Sequence, residues 1–226
     1  MEIFPNVHWL ETGRANSYLI TNGEALALID TGSPGNTDVI LDAVRQLGHA
    51  PTALKQILIT HADWDHAGNV AALHHETGAA VLAGEQTAAL LQEGTPPEHL
   101  PRPLHFLLRP LLRFDPVPAE AIQILQPGEH LPLLEGLEVM ATPGHTPDHI
   151  SFFSRVTGAL FAGDSLNTTG SQLGLGPRIL AADLEQARES ARLLLALTPA
   201  LFACGHGKPL QNHSLQELMM LLQRLK

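Results

Sequence analysis

The 226-residue chain predicts a layered α/β fold, and three observations carry that reading. Short β-type runs interleave with helix-like segments in both halves, glycines close several of them, and the bulk composition is that of an ordinary globular protein. Hydrophobic residues make up 44% of the chain, with 19 Gly and 17 Pro as punctuation. In the first half, strands are expected at Ser17–Thr21, Ala25–Asp30, Gln56–Thr60 and Ala79–Ala83. Helices are expected at Thr37–Leu47, stopped by Gly48, and at Asn69–Thr77, stopped by Gly78. In the second half, Leu137–Thr142, Ile150–Arg155, Ala159–Ala162 and Ala200–Cys204 read as strands. Ala182–Leu197 and Ser214–Leu225 read as helices. Interleaving of this kind puts helices over sheet faces, and residues 1–226 are expected to form one domain.

Gly84–Gly128 departs from that style. A helix is expected at Glu85–Gln92, followed by Pro96, Pro97, Pro101, Pro103, Pro110, Pro116 and Pro118 among Leu104, Phe106, Leu107, Leu108, Leu111 and Leu112. So apolar a stretch packs on something: the active site as a lid, a second subunit in a homodimer, or the domain edge. His105, Arg109 and Arg113 at i, i+4 spacing also permit a basic amphipathic face.

Charge and cysteine usage narrow the function classes. Thirteen Lys and Arg against 23 Asp and Glu give a formal net charge of -10, which opposes a nucleic-acid footprint. Cys204 is the single cysteine, so an intramolecular disulfide framework is excluded; its apolar neighbours suggest a buried, inert thiol. The N-terminal MEIFPNVHWL has acid and proline where a signal peptide has basic residues and an apolar core, and no uncharged apolar run reaches membrane-span length. A cytoplasmic protein acting on a small molecule is the expectation.

The chemistry concentrates in THADWDHAGN, residues 60–69. His61, Asp63, Asp65 and His66 follow the apolar run Leu54–Ile59, on what reads as a loop between a strand and a helix starting near Gly68. Three further candidates sit at strand ends beside glycine: His145 in ATPGHTPDH, Asp164 in ALFAGDS and His206 in ALFACGHGKP. Together these seven residues suffice as ligands for two divalent ions. Asp30, before Thr31 and Gly32, reads as a loop-fixing or supporting acid outside the ligand set. Asp148 and His149 are expected to face solvent, and His74, His75, His99, His130 and His213 to be partnerless surface residues.

The order of these elements resembles the metallo-β-lactamase superfamily, whose signature is HxHxDH followed by separate His, Asp and His ligands. The resemblance runs over most of the chain, from Asp30 in LIDTG to His206 in GHG. It implies a four-layer αββα sandwich with the site along one edge of two central sheets. It also implies one metal on His61, Asp63 and His145, a second on Asp65, His66 and His206, and Asp164 bridging. Asp63 stands where the family usually has histidine. Carboxylate for imidazole makes the centre formally more neutral, a weaker Lewis acid, and more hospitable to harder ions. Zinc is the expected metal, with manganese or iron open. A carboxylate at this place also resembles the flavodiiron branch, which carries a flavodoxin domain that is not found in this chain.

The implied function is a metallo-hydrolase in which a hydroxide shared by two metals attacks a carbonyl, with Asp65 taking a proton as the leaving group departs. Lys208 is a candidate for a substrate carboxylate, weighed equally against an exposed lysine before Pro209. Twenty residues after His206 argue against a glutathione thioesterase, which usually has a further helical region. The acidic charge argues against a nuclease, and the missing export signal against a β-lactamase. The position of the single tyrosine, Tyr18, argues against an acyl-homoserine lactonase. A small ester, thioester or lactone remains. The alternatives are an iron redox protein, suggested by Asp63, and a non-catalytic metal-binding protein.

Overall fold

A computed structural model describes residues 1–98, 107, 109–168, 172–211 and 220–223. These fall into two compact units, one up to Leu125 and the other from Gln126 onwards.

The first unit is a seven-stranded sheet whose spatial order follows the chain: β1 (Glu2–Phe4), β2 (Val7–Thr12), β3 (Ala15–Asn22), β4 (Ala25–Ile29), β5 (Leu54–Ile59), β6 (Ala80–Ala83) and β7 (Ile122–Ile124). The first four pair antiparallel through short turns. From β4 to β7 the pairing is parallel, and parallel neighbours need crossovers. Those are supplied by α1 (Thr37–Gln46), by the pair α2 (Trp64–Ala67) and α3 (Val70–Thr77), and by α4 (Glu85–Glu93). Strand alternation sends Leu26, Leu28, Ile57, Ile59, Val81 and Ala83 into one core with Ile40, Leu41 and Val44 of α1, Leu73 of α3 and Leu91 of α4. Each buried Leu, Ile or Val among these contributes roughly 1.5–3 kcal/mol of transfer free energy.

The second unit is a six-stranded sheet in the order β13-β12-β11-β10-β9-β8, made of β8 (His130–Leu131), β9 (Leu137–Ala141), β10 (Ile150–Ser154), β11 (Ala159–Gly163), β12 (Leu201–Cys204) and β13 (Leu210–Gln211). Its parallel pair, β11 with β12, is bridged by α5 (Leu184–Ala196). Ala187, Ser190, Ala191, Leu194 and Leu195 form the buried stripe of α5 at i, i+3, i+4, i+7 and i+8. Ala191, Leu194 and Leu195 pack with Leu160, Ala162, Phe202 and Cys204. Cys204 is a buried thiol whose pKa is pushed up, first by burial and then by the negative charge of Asp164.

Several expectations change. β1, β2, β7, β8 and β13 are additional strands. They are short, or like β2 mix polar residues into the pattern, so they carry little periodic signal. Residues 64–67 are a helical turn rather than loop, because the carbonyl of Asp63 accepts from His66 N and Ala67 N at 2.9 and 2.8 Å. The insertion's C-terminal flank belongs to the first unit: Phe114, Val117 and Ala121 are buried in its core and β7 extends its sheet. Leu107 and Leu111 are exposed. Residues 99–106 and 108, with the expectations for Leu104, His105, Phe106 and Leu108, lie outside the described residues, as do His99, His213 and most of the helix expected at Ser214–Leu225. Among the described residues no helix is long and apolar enough to cross a membrane.

The start of α5 yields a test. Asp183 is its N-cap, accepting from Glu185 N and Gln186 N at 2.9 and 3.0 Å, and these bonds hold its carboxyl below the ordinary value of 3.8, the Gln186 backbone bond contributing most. A depressed folded pKa stabilises the fold above the unfolded value and is lost as pH falls through the folded one. Asp183→Ala is therefore expected to lower the thermal midpoint at neutral pH, with the gap to wild type closing below pH 3.8. Thermal melts of both proteins across that range check this; a gap independent of pH would contradict it.

Candidate metal centre

Asp30 organises the loop of the first unit that carries His61, Asp63, Asp65 and His66. It leaves β4 with a left-handed backbone (φ 54), a conformation to which Asp is better suited than most residues. Its Oδ1 accepts from Thr60 N at 2.9 Å; its Oδ2 accepts from Thr60 Oγ1 at 2.8 Å and lies 2.9 Å from His66 Nδ1. An ionised carboxylate only accepts, so His66 carries its proton on Nδ1. Thr60 gives its hydroxyl proton to Asp30, so at 2.9 Å it accepts from Nδ1 of His61, which carries its proton there too. One acid thus sets both tautomers and leaves both buried Nε2 atoms with a lone pair, the form in which histidine binds metal. Asp30 is 2% exposed, and both of its oxygens are taken up by Thr60 and His66.

The same loop is pinned from the other side. Thr31 N and Oγ1 both donate to the carbonyl of His66, and Asn69 Nδ2 donates to the carbonyls of Thr31 and Ser33. Gly32 is obligatory at φ 74, because a Cβ there would stand 2.2 Å from Thr12. The rings of His61 and His66 are held 4.1 Å apart between centroids. Asp63 caps α2 with its backbone only, and its Oδ2 is 3.5 Å from His61 Nε2. Asp65, half-buried on α2, offers an oxygen within 4.8 Å of a His66 ring nitrogen. The segment therefore presents two His–Asp pairs, His61 with Asp63 and His66 with Asp65.

The second unit brings its three candidates together on separate loops. Oδ2 of Asp164 is 3.5 Å from Nε2 of His145 and 3.1 Å from Nε2 of His206. A register shift at the end of β11 and the left-handed Gly163 turn Asp164 off the strand. Gly205 N donates to Gly163 O at 2.8 Å, coupling the loop of His206 to that of Asp164, and Thr168 donates to the carbonyl of His206 through both N and Oγ1. The loop of His145 is braced by the lead into α5: Ala182 N donates to His145 O and Asp183 N to Gly144 O. At Gly144 (φ 133) a Cβ would stand 2.1 Å from Ala187 N. Lys208 is exposed.

Two expectations about histidines are corrected. His149 is 1% exposed rather than solvent-facing: its Nε2 accepts from Asp164 N at 3.0 Å, and its Nδ1 lies 2.9 Å from Thr142 Oγ1 and 3.1 Å from Ser165 Oγ. His74 is half-buried, with Nδ1 2.8 Å from the carbonyl of Ala79. His75 and His130 are exposed, and Asp148 is partly so. Sequence reasoning also passed over Thr60, Asn69 and the hydroxyls around His149. Their available signal is position: Thr60 and Thr142 each directly follow a strand and precede a ligand candidate.

The donor set fits divalent metal: buried imidazole nitrogens with fixed tautomers beside carboxylate oxygens, with His61 and His66 each bonded through Nδ1.

Comparison with known proteins agrees. The profile of the metallo-beta-lactamase superfamily matches residues 10–206. The chain is 30% identical over 247 residues to the probable metallo-hydrolase YflN of Bacillus subtilis strain 168, covering 99% of this chain and 92% of that protein. It is 31% identical over 191 residues to the hydroxyacylglutathione hydrolase of Hahella chejuensis, covering 83% of this chain but only 60% of that protein. Among solved structures, one described as a B3 metallo-beta-lactamase with an active-site glutamic acid matches with TM-score 0.76 at 24% identity, covering 99% of this chain and 86% of that one. A metallo-beta-lactamase family protein from Thermus thermophilus matches with TM-score 0.75 at 23% identity, covering 99% of this chain and 79% of that one. The fold is thus the metallo-β-lactamase fold implied by the motif order, and the chain belongs to the metallo-β-lactamase superfamily.

Proposed function

We propose that this protein is a metal-dependent hydrolase of small carbonyl esters, thioesters or lactones, with two divalent cations, zinc foremost, in its centre. The observation that carries the reading is the single oxygen of Asp164 set between Nε2 of His145 and Nε2 of His206. Two His–Asp pairs in one unit, and two histidines sharing one carboxylate in the other, are complementary. His61, Asp63 and His145 would hold one cation, Asp65, His66 and His206 the other, and Asp164 would bridge them. When bound, such cations would supply an activated water at neutral pH and a Lewis acid for the carbonyl oxygen. Thioesters are favoured by the names of relatives: the hydroxyacylglutathione hydrolases, and the thioesterase pkgB of Emericella nidulans, 28% identical over 198 residues.

The chain's own residues then divide the work. Asp30 and Thr60 keep the Nε2 lone pairs of His61 and His66 available and forbid the tautomers that would block them. Asp65 takes a proton from the attacking water on its carboxylate and returns it to the departing alkoxide or thiolate. Lys208, exposed two positions after His206, meets a substrate carboxylate. A second reading, iron redox chemistry, draws on Asp63, whose carboxylate oxygen stands 3.5 Å from His61 Nε2 where an all-histidine motif would offer nitrogen.

Protein isolated without added metal is expected to contain about two zinc or manganese ions per chain and to turn over some member of a panel of activated esters, thioesters and lactones. Tightly held iron with visible absorption, or no turnover on any substrate by the fully loaded protein, would reject the hydrolase. Asp164→Ala is expected to lower kcat/KM by at least roughly 100-fold, since even partners that only orient ligands cost 10- to 100-fold. Asp63→His should shift competition between zinc and manganese toward zinc. An unchanged preference would remove Asp63 from the ligand set.

A further inference from the structure

We infer that His149 is a positioning residue for Asp164, acting as a neutral acceptor that fixes the Asp164 backbone and with it the direction of the shared carboxylate. The inference rests on Asp164 being a metal ligand, as proposed above.

The proton directions around His149 are determined by its neighbours. Asp164 N–H donates to Nε2 at 3.0 Å, so that nitrogen bears a lone pair and the ring proton of the neutral imidazole is on Nδ1. Nδ1 faces two hydroxyls, Thr142 Oγ1 at 2.9 Å and Ser165 Oγ at 3.1 Å. Both have their own protons committed elsewhere. Ser165 Oγ donates to Thr142 O at 3.2 Å. Ser151 Oγ donates to Ala162 O at 3.1 Å, so it accepts from Thr142 Oγ1, 2.8 Å away. Both hydroxyls therefore accept from Nδ1–H, and every proton in the ring of contacts has one direction.

This arrangement is expensive to bury unless it has a use. Thr142, His149, Ser151 and Ser165 are each at most 2% exposed. A core of similar shape built from apolar side chains would have carried no desolvation cost. What the polar network does that an apolar one cannot is offer an acceptor to the first backbone N–H beyond β11, at the residue whose side-chain oxygen lies between two histidines. Gly163, immediately before that residue, has a left-handed backbone (φ 50) that turns the chain off β11, and its carbonyl is held by Gly205 N. The bond to His149 holds the next peptide, the one that carries the Asp164 side chain. Thr142 N also donates to His149 O at 2.9 Å, so the loop carrying His145 is closed by the same residue.

Two amide replacements separate this role from simple core support. The longer side chain of His149→Gln places a carbonyl oxygen where Nε2 stands, keeping an acceptor for Asp164 N–H. The shorter side chain of His149→Asn places its NH2 where Nδ1–H stands, serving the hydroxyls but not Asp164. Zinc affinity by competition titration is expected to fall roughly 10- to 100-fold in His149→Asn and to stay within a few-fold of wild type in His149→Gln. In the metal-free proteins, the Asp164 amide should be protected from hydrogen exchange in wild type and His149→Gln and exposed in His149→Asn. Equal zinc affinity in the two variants, whether both intact or both impaired, would overturn the inference. So would open-amide exchange at Asp164 in metal-free wild type, a measurement that needs no variant to fold. Wild type that takes up no zinc would instead overturn the metal-centre reading, and this inference with it.

Discussion

The carboxylate of Asp30 is the constraint on which the first unit's site depends. It is buried, it accepts from the backbone and hydroxyl of Thr60, and it lies against Nδ1 of His66. A buried ionised group is costly unless its lone pairs are used, and here the partners are the end of β5 and the loop of His61 to His66 itself. The bond that satisfies the acid is therefore the bond that orders the loop. Removing it would leave two histidines free to choose tautomers and β5 without its terminal anchor.

The second unit solves the same problem with neutral groups. Around His149 it uses an imidazole and three hydroxyls where the first unit uses a carboxylate, a hydroxyl and two imidazoles. Both networks start at a threonine that directly follows a strand, Thr60 after β5 and Thr142 after β9. Each ends at candidate ligands, His61 and His66 in the first unit and Asp164 in the second. The difference is charge: the first network adds a negative group beneath two imidazoles, and the second adds none beneath Asp164, where a further carboxylate would repel.

Much of this is legible in the sequence, for physical reasons that also explain what is not. Long runs with a clear period, such as Ile150–Ser154 and Leu184–Ala196, announce themselves because burial on one stripe or both faces dictates their composition. β7, β8 and β13 are two or three residues long and exist only because a neighbouring strand offers its edge. The seven ligand candidates are visible because histidine and aspartate beside glycine at strand ends have few packing explanations. His149 is misleading because its neighbours, Pro147 and Asp148, suggest an exposed turn. Its burial comes from Ser165, sixteen residues away, and from Thr142, which the turn folds back against His149. The turn at residues 64–67 escapes notice because its cap is a backbone carbonyl, which every residue possesses.

At Gly144 the backbone of the His145 turn comes so close to α5 that even a methyl group would meet Ala187 N at 2.1 Å. Side chains between packed elements normally act as a cushion, shifting rotamers to absorb small displacements. Here the cushion is absent. The turn and the first coil of the helix are in contact chain to chain, and they are bonded through Ala182 N and Asp183 N. The helix therefore works as a gauge block for His145: where its N-terminal end stands determines where the turn stands. A substitution on the far, solvent-facing side of α5 that tips the helix would be read directly at the histidine, with no intervening layer to blur it.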